Sequence, residues 1–182
     1  MNSLAIYAGP SALQRITNEG FKPEHFKLMV GASGGPKWFV LFGLDRYLFG
    51  KFFSNRNEPL YTIGSSVGAW RMCCLAASDP VKCIERLADY YCHEDYSHMT
   101  TVKEVTESAR LMLEKILIDD SKATVVHNRV FKTHVVTVRS KGVNSSAGNS
   151  AHALHLGLSA VCNLFTRRSL HHFFDRSIFT TD

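Results

Sequence analysis

Apolar positions alternate along the chain between short continuous runs and stretches with helical spacing, punctuated by glycine, proline and small polar residues. Leu4–Ala8 is a run suited to a strand, and Ser11–Glu19 follows as a helix stopped by Gly20. Phe26–Val30 is a second strand-like run ending at Gly31. Lys37–Gly50 then places Phe39, Val40, Phe42, Leu44, Tyr47 and Leu48 near a helical period. Leu60–Ile63 predicts a third buried strand and Val67–Ala77 the helix after it. Pro80 opens another helix to about Cys92, with Asp79 as N-cap and Pro80 at the first helical position. Thr101–Leu117 is the clearest amphipathic helix, with Val102, Val105, Ala109, Met112, Leu113 and Ile116 on one side. Val130–Arg139 is β-branched and reads as a strand, Lys141–Ser150 as a loop, and a last helical segment starts near Ala151.

Strands alternating with helices predict an α/β domain with a mostly parallel sheet. The 182 residues suit one domain, and 45% apolar with 20% charged residues is a globular balance. No run of about 18 uncharged apolar residues predicts a transmembrane helix, and the first ten residues lack the basic and apolar regions of a cleaved signal. A soluble, cytoplasmic protein is expected. The five cysteines, Cys73, Cys74, Cys83, Cys92 and Cys162, have no disulfide-framework spacing and fit reduced thiols in that compartment.

The net charge of +5 changes the picture little. Residues 1–100 carry ten Lys/Arg against nine Asp/Glu, and 101–182 carry eleven against seven. The surplus is scattered apart from Arg167-Arg168, so no nucleic-acid partner is expected. The segment Leu156–Phe179 mixes Leu, Val and Phe with Arg167, Arg168, His171 and His172; it suits packing against the rest of a domain or an interfacial helix on a membrane surface. His152-x-x-His155 and His171-His172 lack a carboxylate or cysteine at ligand spacing, and read as solvated or core histidines. No metal and no cofactor are expected.

The candidate chemistry lies between residues 31 and 77. Gly31-Ala32-Ser33-Gly34-Gly35 and Gly64-Ser65-Ser66-Val67-Gly68 both fit Gly-x-Ser-x-Gly, where far fewer than one chance match is expected. In such a motif the serine sits at a sharp strand-to-helix turn with its hydroxyl exposed, and the flanking glycines leave room where the chain doubles back. Ser66 follows a strand and precedes an apolar helix. Ser33 is followed by Gly34-Gly35-Pro36-Lys37-Trp38, a turn that offers backbone N–H groups to a negative oxygen. Donor availability therefore favours Ser66 as nucleophile, with Ser33 the alternative. A phosphate-binding P-loop needs wider glycine spacing and a Ser or Thr after the lysine, which this segment lacks.

Gly34-Gly35-Pro36-Lys37 opening a helix, with Gly64-Ser65-Ser66-Val67-Gly68 about thirty residues on, resembles the patatin-like phospholipases over residues 26–77. That family joins a Gly-Gly-Gly-x-Arg/Lys-Gly oxyanion loop to a Gly-x-Ser-x-Gly elbow in this order. The resemblance implies a three-layer α/β/α fold and metal-free hydrolysis of lipid acyl esters by a Ser–Asp dyad. Ser66 would be acylated, Gly34 and Gly35 would supply oxyanion N–H groups, Lys37 would take the basic position, and Gly64 and Gly68 would flank the elbow. Two loop positions depart from the pattern, with Ser33 and Trp38 where the family has glycine. The family's aspartate lies in an Asp-Gly turn, and this sequence has no Asp-Gly dipeptide. The expectation is a single domain over 1–182, either the N-terminal part of a longer hydrolase domain or a catalytically inactive lipid-binding domain on the same scaffold.

Overall fold

In the computed structural model, which describes residues 5–94, 101–118, 121–143 and 148–181, the fold is α/β with a mostly parallel sheet. Its four strands are β1 (Leu28–Gly31), β2 (Leu60–Ser65), β3 (Phe131–Ser140) and β4 (Phe174–Thr180), in the spatial order β1-β2-β3-β4. The first three run parallel and β4 is antiparallel to β3. Described helices are α1 (Pro10–Glu19), α2 (Phe42–Tyr47), α3 (Val67–Leu75), α4 (Pro80–His93), α5 (Val102–Ile116), α6 (Ser121–His127), α7 (Asn149–Phe165) and the short α8 (Leu170–Phe173). No helix among the described residues is long and apolar enough to cross a membrane.

Several boundaries follow from local chemistry. α1 ends where Gly20 takes φ 83°, a conformation that suits glycine. Asp79 caps α4 by accepting the Lys82 N–H at 3.1 Å, with Pro80 at the first position. The same N–H and the Lys82 side chain hold the Asp79 carboxyl below its usual range. Thr101 and Glu104 form a reciprocal capping box at the start of α5.

The core lies on one face of the sheet. Leu60, Thr62 and Gly64 of β2 alternate inward, and α3 packs over β1, β2 and β3. Beneath and beside it Val67, Met72, Leu75, Ile84, Leu87 and Ile116 are buried, each removing a side chain from water for about 1.5–3 kcal/mol. Thr62 and Thr133 meet within this face, their hydroxyls 3.4 Å apart. On the opposite face Leu28, Val30 and Tyr61 are exposed. Toward β3 and β4 that face is approached by α7, whose Leu156 and Asn163 share a cavity with Val138, Phe174 and Arg176.

Three expectations need correction. Ala5–Ala8 carries no strand: Ile6 and Tyr7 stay exposed, so the run buries nothing that would hold it to the open edge of β1; Leu4 lies outside the described residues. Lys37–Gly50 is not one helix: Gly35–Leu41 is a 3-10 helix, α2 follows, and Leu48–Phe52 is a π turn. Gly35-Pro36, Gly43 and Gly50 deprive this stretch of side-chain and backbone support for a uniform helix. The segment Leu156–Phe179 is not one helix either, since α7 stops at Phe165 and β4 begins at Phe174. Met112 and Ile116 of α5 are buried as expected, whereas Val105 and Leu113 stay exposed; the side chain of Val102 and positions 144–147 of the predicted loop lie outside the described residues.

One buried ion pair links the helices that follow the two glycine motifs. Arg71 of α3 donates from Nε to Asp45 Oδ2 at 2.6 Å and from Nη2 to Oδ1 at 2.7 Å. Both side chains are almost fully buried, so each carries a desolvation cost that only the other offsets. Asp45→Asn or Arg71→Met alone should therefore lower unfolding free energy by about 3–5 kcal/mol. The double variant Asp45→Leu/Arg71→Met should recover most of that loss, as read from urea denaturation midpoints and slopes.

Candidate active site

The site is built where three stretches of main chain meet. At the end of β1, Gly31 lies in register with Gly64 near the end of β2. A Cβ at Gly31 would sit 2.6 Å from the Gly68 carbonyl oxygen, and one at Gly64 would sit 2.5 Å from the Gly68 carbonyl carbon. A Cβ at Gly68 would stand 2.0 Å from the Gly31 oxygen and 2.8 Å from that of Ala32. All these obstacles are backbone atoms, which cannot swing aside. Glycine is needed at 31, 64 and 68 because β1, β2 and the first turn of α3 touch backbone to backbone.

That contact forces the chain to reverse between Ser65 and Val67, and Ser66 takes the strain. With φ 54° and ψ −135°, Ser66 is the one non-glycine residue of positive φ among the described residues. Its side chain is exposed and does not cap α3, although it occupies the N-cap position. The hydroxyl is therefore presented at the carboxyl end of a parallel strand, at the N-terminus of a helix whose partial positive charge favours an anion.

Ser33 is also exposed, but its backbone is unstrained and it lies in the loop after β1 rather than at an elbow. The loop continues through Gly34, which is extended (φ −179°), into Gly35, whose φ of 52° is left-handed. Because the Gly31 and Ala32 carbonyls press on Gly68, this glycine turn leaves the sheet beside the elbow. Lys37 is exposed and Trp38 is buried. Trp38 stacks on Phe39 at 4.8 Å and meets Phe42 and Tyr91 edge-on, so it fastens the loop to α4 where a glycine would leave it free. The structure thus brings the Gly34-Gly35 turn and the Gly64–Gly68 elbow to one end of the sheet.

Ser66 makes no side-chain hydrogen bond to a carboxylate among the described residues, and each described aspartate has another partner. Asp45 is locked to Arg71, Asp79 caps α4, and Asp89 faces His93 at 3.3 Å. Asp175 accepts from Lys141 at 2.7 Å, which holds its carboxyl below the usual range. Asp175 pairs in register with Arg139 while Ser65 pairs with Val136. Strand geometry then separates Asp175 from the elbow by roughly 14 Å. Asp95, Asp119, Asp120 and Asp182 lie outside the described residues. His134 sits mid-strand on β3, its Nδ1 3.1 Å from the Thr62 carbonyl oxygen. No group of three or more metal-ligating side chains converges among the described residues.

The thiols behind the elbow are poor rivals to Ser66. Burial pushes the Cys73 thiol up to about 11 and the Cys74 thiol well above its ordinary value, so both are protonated at neutral pH. Sequence reasoning found both glycine motifs, Gly31 included, but missed the Asp45–Arg71 pair and the contact of Gly31 with Gly68.

No protein-family model, no curated protein and no solved structure matches the chain.

Gly68→Ala should destabilise the fold by about 3 kcal/mol or more in urea titrations, because nothing around it can yield. Gly43→Ala, in α2 with open space around it, should be neutral or stabilising by up to about 1 kcal/mol. Brief iodoacetamide treatment of the native protein at neutral pH should modify exposed Cys92 and spare Cys73 and Cys74, as mapped by mass spectrometry; all three should react in urea.

Proposed function

We propose that this chain is a serine acyl hydrolase of patatin type, cleaving carboxylic ester bonds of lipids through an acyl-serine intermediate. The observation that carries this reading is the strained, exposed and uncapped Ser66 at the β2–α3 turn. Strain of this kind, about 1–3 kcal/mol for a non-glycine residue, clusters at functional sites. Ser66 Oγ attacks the ester carbonyl and the alcohol leaves; water then releases the acid. The Gly34 and Gly35 N–H groups face the developing oxyanion, where such donors are worth roughly 3 kcal/mol, and exposed Lys37 adds positive charge. The serine proton needs an acceptor, which in this reading is a carboxylate outside the described residues. The three-layer α/β/α architecture belongs to the same proposal, with α3 and α4 as one outer layer and α7 as part of the other.

A second reading, a lipid-binding domain that keeps the scaffold without turnover, is favoured by one observation: all four described aspartates are committed to other partners. A fluorophosphonate probe separates the two. Mass spectrometry should find the adduct on the Ser66 peptide of the wild type and of Ser33→Ala, and none on Ser66→Ala. An adduct confined to Ser33 would reverse the assignment of the two motifs. An unlabelled wild type would favour the domain without turnover.

A further inference from the structure

The face of the sheet turned away from α3 holds a cavity that the candidate active site does not use. It lies between α7 and the antiparallel pair β3–β4 and measures about 1100 Å³, the upper end for a small-molecule site. Its floor is apolar: Val138 of β3, Phe174 of β4, Leu156 of α7 and Leu170 of α8. Val138 and Leu156 stay 67% and 56% exposed, so this apolar surface meets water inside a concavity. Neither Ser66 nor the Gly34-Gly35 turn lines it.

Three guanidinium groups share the cavity with that floor. Arg167 and Arg168 come from the turn after α7 and Arg176 from β4. None of their side chains has a hydrogen bond or ion pair among the described residues. Arg176 is the register partner of Val138. Asp175, the one carboxylate at the cavity, alternates to the other side of β4 from Arg176. It is already held by Lys141 at 2.7 Å and Arg139 at 3.8 Å. The positive charge is therefore not neutralised from within.

Hydrogen bonds fix the walls. Thr166 Oγ1 accepts the Arg168 N–H at 3.3 Å, and the Thr166 carbonyl accepts from Ser169 Oγ at 2.7 Å. Lys141 donates from its backbone to the Phe173 carbonyl at 2.8 Å and from Nζ to the His171 carbonyl at 2.7 Å, which ties α8 to the end of β3. Asn163 lies two turns from Leu156 on the same side of α7, and its Oδ1 is enclosed without a donor. Turned over, that carboxamide presents its NH2 group to an anion.

An apolar floor beside unpaired guanidinium groups complements a hydrocarbon chain ending in an oxyanion, since the arginine fork takes carboxylate and phosphate alike. A nucleotide would also bring phosphate, but one carboxamide and aliphatic walls give its base little to bind. We propose that this cavity binds an amphiphile whose hydrocarbon chain ends in a carboxylate or phosphate, with the chain on Val138, Leu156, Leu170 and Phe174 and the head against Arg167, Arg168 and Arg176. The site is separate from acyl transfer and does not rest on Ser66.

Isothermal titration calorimetry of the full chain with decanoate, decyl phosphate and decanol, each kept below micelle formation, tests it. An anionic ligand should bind at one site per chain, the tighter of decanoate and decyl phosphate naming the head group, and decanol at least tenfold more weakly. The pair Arg167→Gln/Arg176→Gln should weaken the anion about tenfold or more and leave decanol unchanged, whereas Leu156→Gln should weaken all three. These positions are exposed, so circular dichroism should show the fold kept. Leu158→Gln, on the far side of α7, should bind like the wild type; a loss there would move binding to the outer surface of the helix and overturn the site. Equal affinity for decanoate, decyl phosphate and decanol would overturn it too, as would a nucleoside triphosphate binding where decanoate and decyl phosphate do not. Ser66→Ala should bind like the wild type. Absent binding with intact fluorophosphonate labelling thus overturns this site alone, and the reverse result overturns only the acyl-transfer reading.

Discussion

The structure turns on a backbone crossing with no side chains in it. The Gly31 carbonyl, the Gly64 backbone and the Gly68 backbone occupy space that any Cβ would invade. Because these three main-chain segments touch, α3 lies close enough to the sheet to bury Val67, Met72 and Leu75 completely. For the same reason the link between β2 and α3 is a single sharp turn, and the loop after β1 emerges next to it. Core packing and the geometry at Ser66 are thus two results of one steric condition. Loosening it would alter both together.

A second constraint holds the arrangement from behind. The bidentate Asp45–Arg71 pair ties α2, which follows the glycine loop, to α3, which follows the elbow. Trp38 does related work on the other side by wedging the loop helix against Tyr91 of α4. A planar guanidinium fixes orientation as well as distance, so rotation of the two helices against each other would break one of its two hydrogen bonds. The loop and the elbow are therefore referenced to the same frame. The frame leaves Asp45 no freedom to serve elsewhere, which is why an acid so near in sequence to the glycine loop is no partner for Ser66.

Much of this was legible in the chain. The strands at Leu60–Ser65 and Phe131–Ser140, the caps at Gly20 and Asp79, and the elbow around Ser66 each carry their cause within a few neighbouring residues. Other features do not. Phe174–Thr180 mixes Phe and Ile with Asp, Arg and Ser and is a strand because it pairs with β3, some forty residues earlier, which no local pattern reports. Ala5–Ala8 has suitable residues but stays exposed and unpaired although the outer edge of β1 is open. The Asp45–Arg71 pair spans 26 positions, and nothing in either residue's surroundings announces the other. The apolar content of Leu156–Phe179 was visible in the chain, but not that His155 sits against the Phe173 and Phe174 rings.

Position 66 also bears on how stability is distributed along the chain. Backbone angles of 54° and −135° are comfortable for glycine and uncomfortable for every residue with a side chain. A chain selected for folding alone would have glycine there, extending a neighbourhood that already has it at 64 and 68. Serine in this position makes the folded state less favourable by an amount that the tight crossing around it absorbs. The closest backbone packing around Gly31, Gly64 and Gly68 thus adjoins the one non-glycine residue of positive φ among the described residues, and what that residue carries is a hydroxyl.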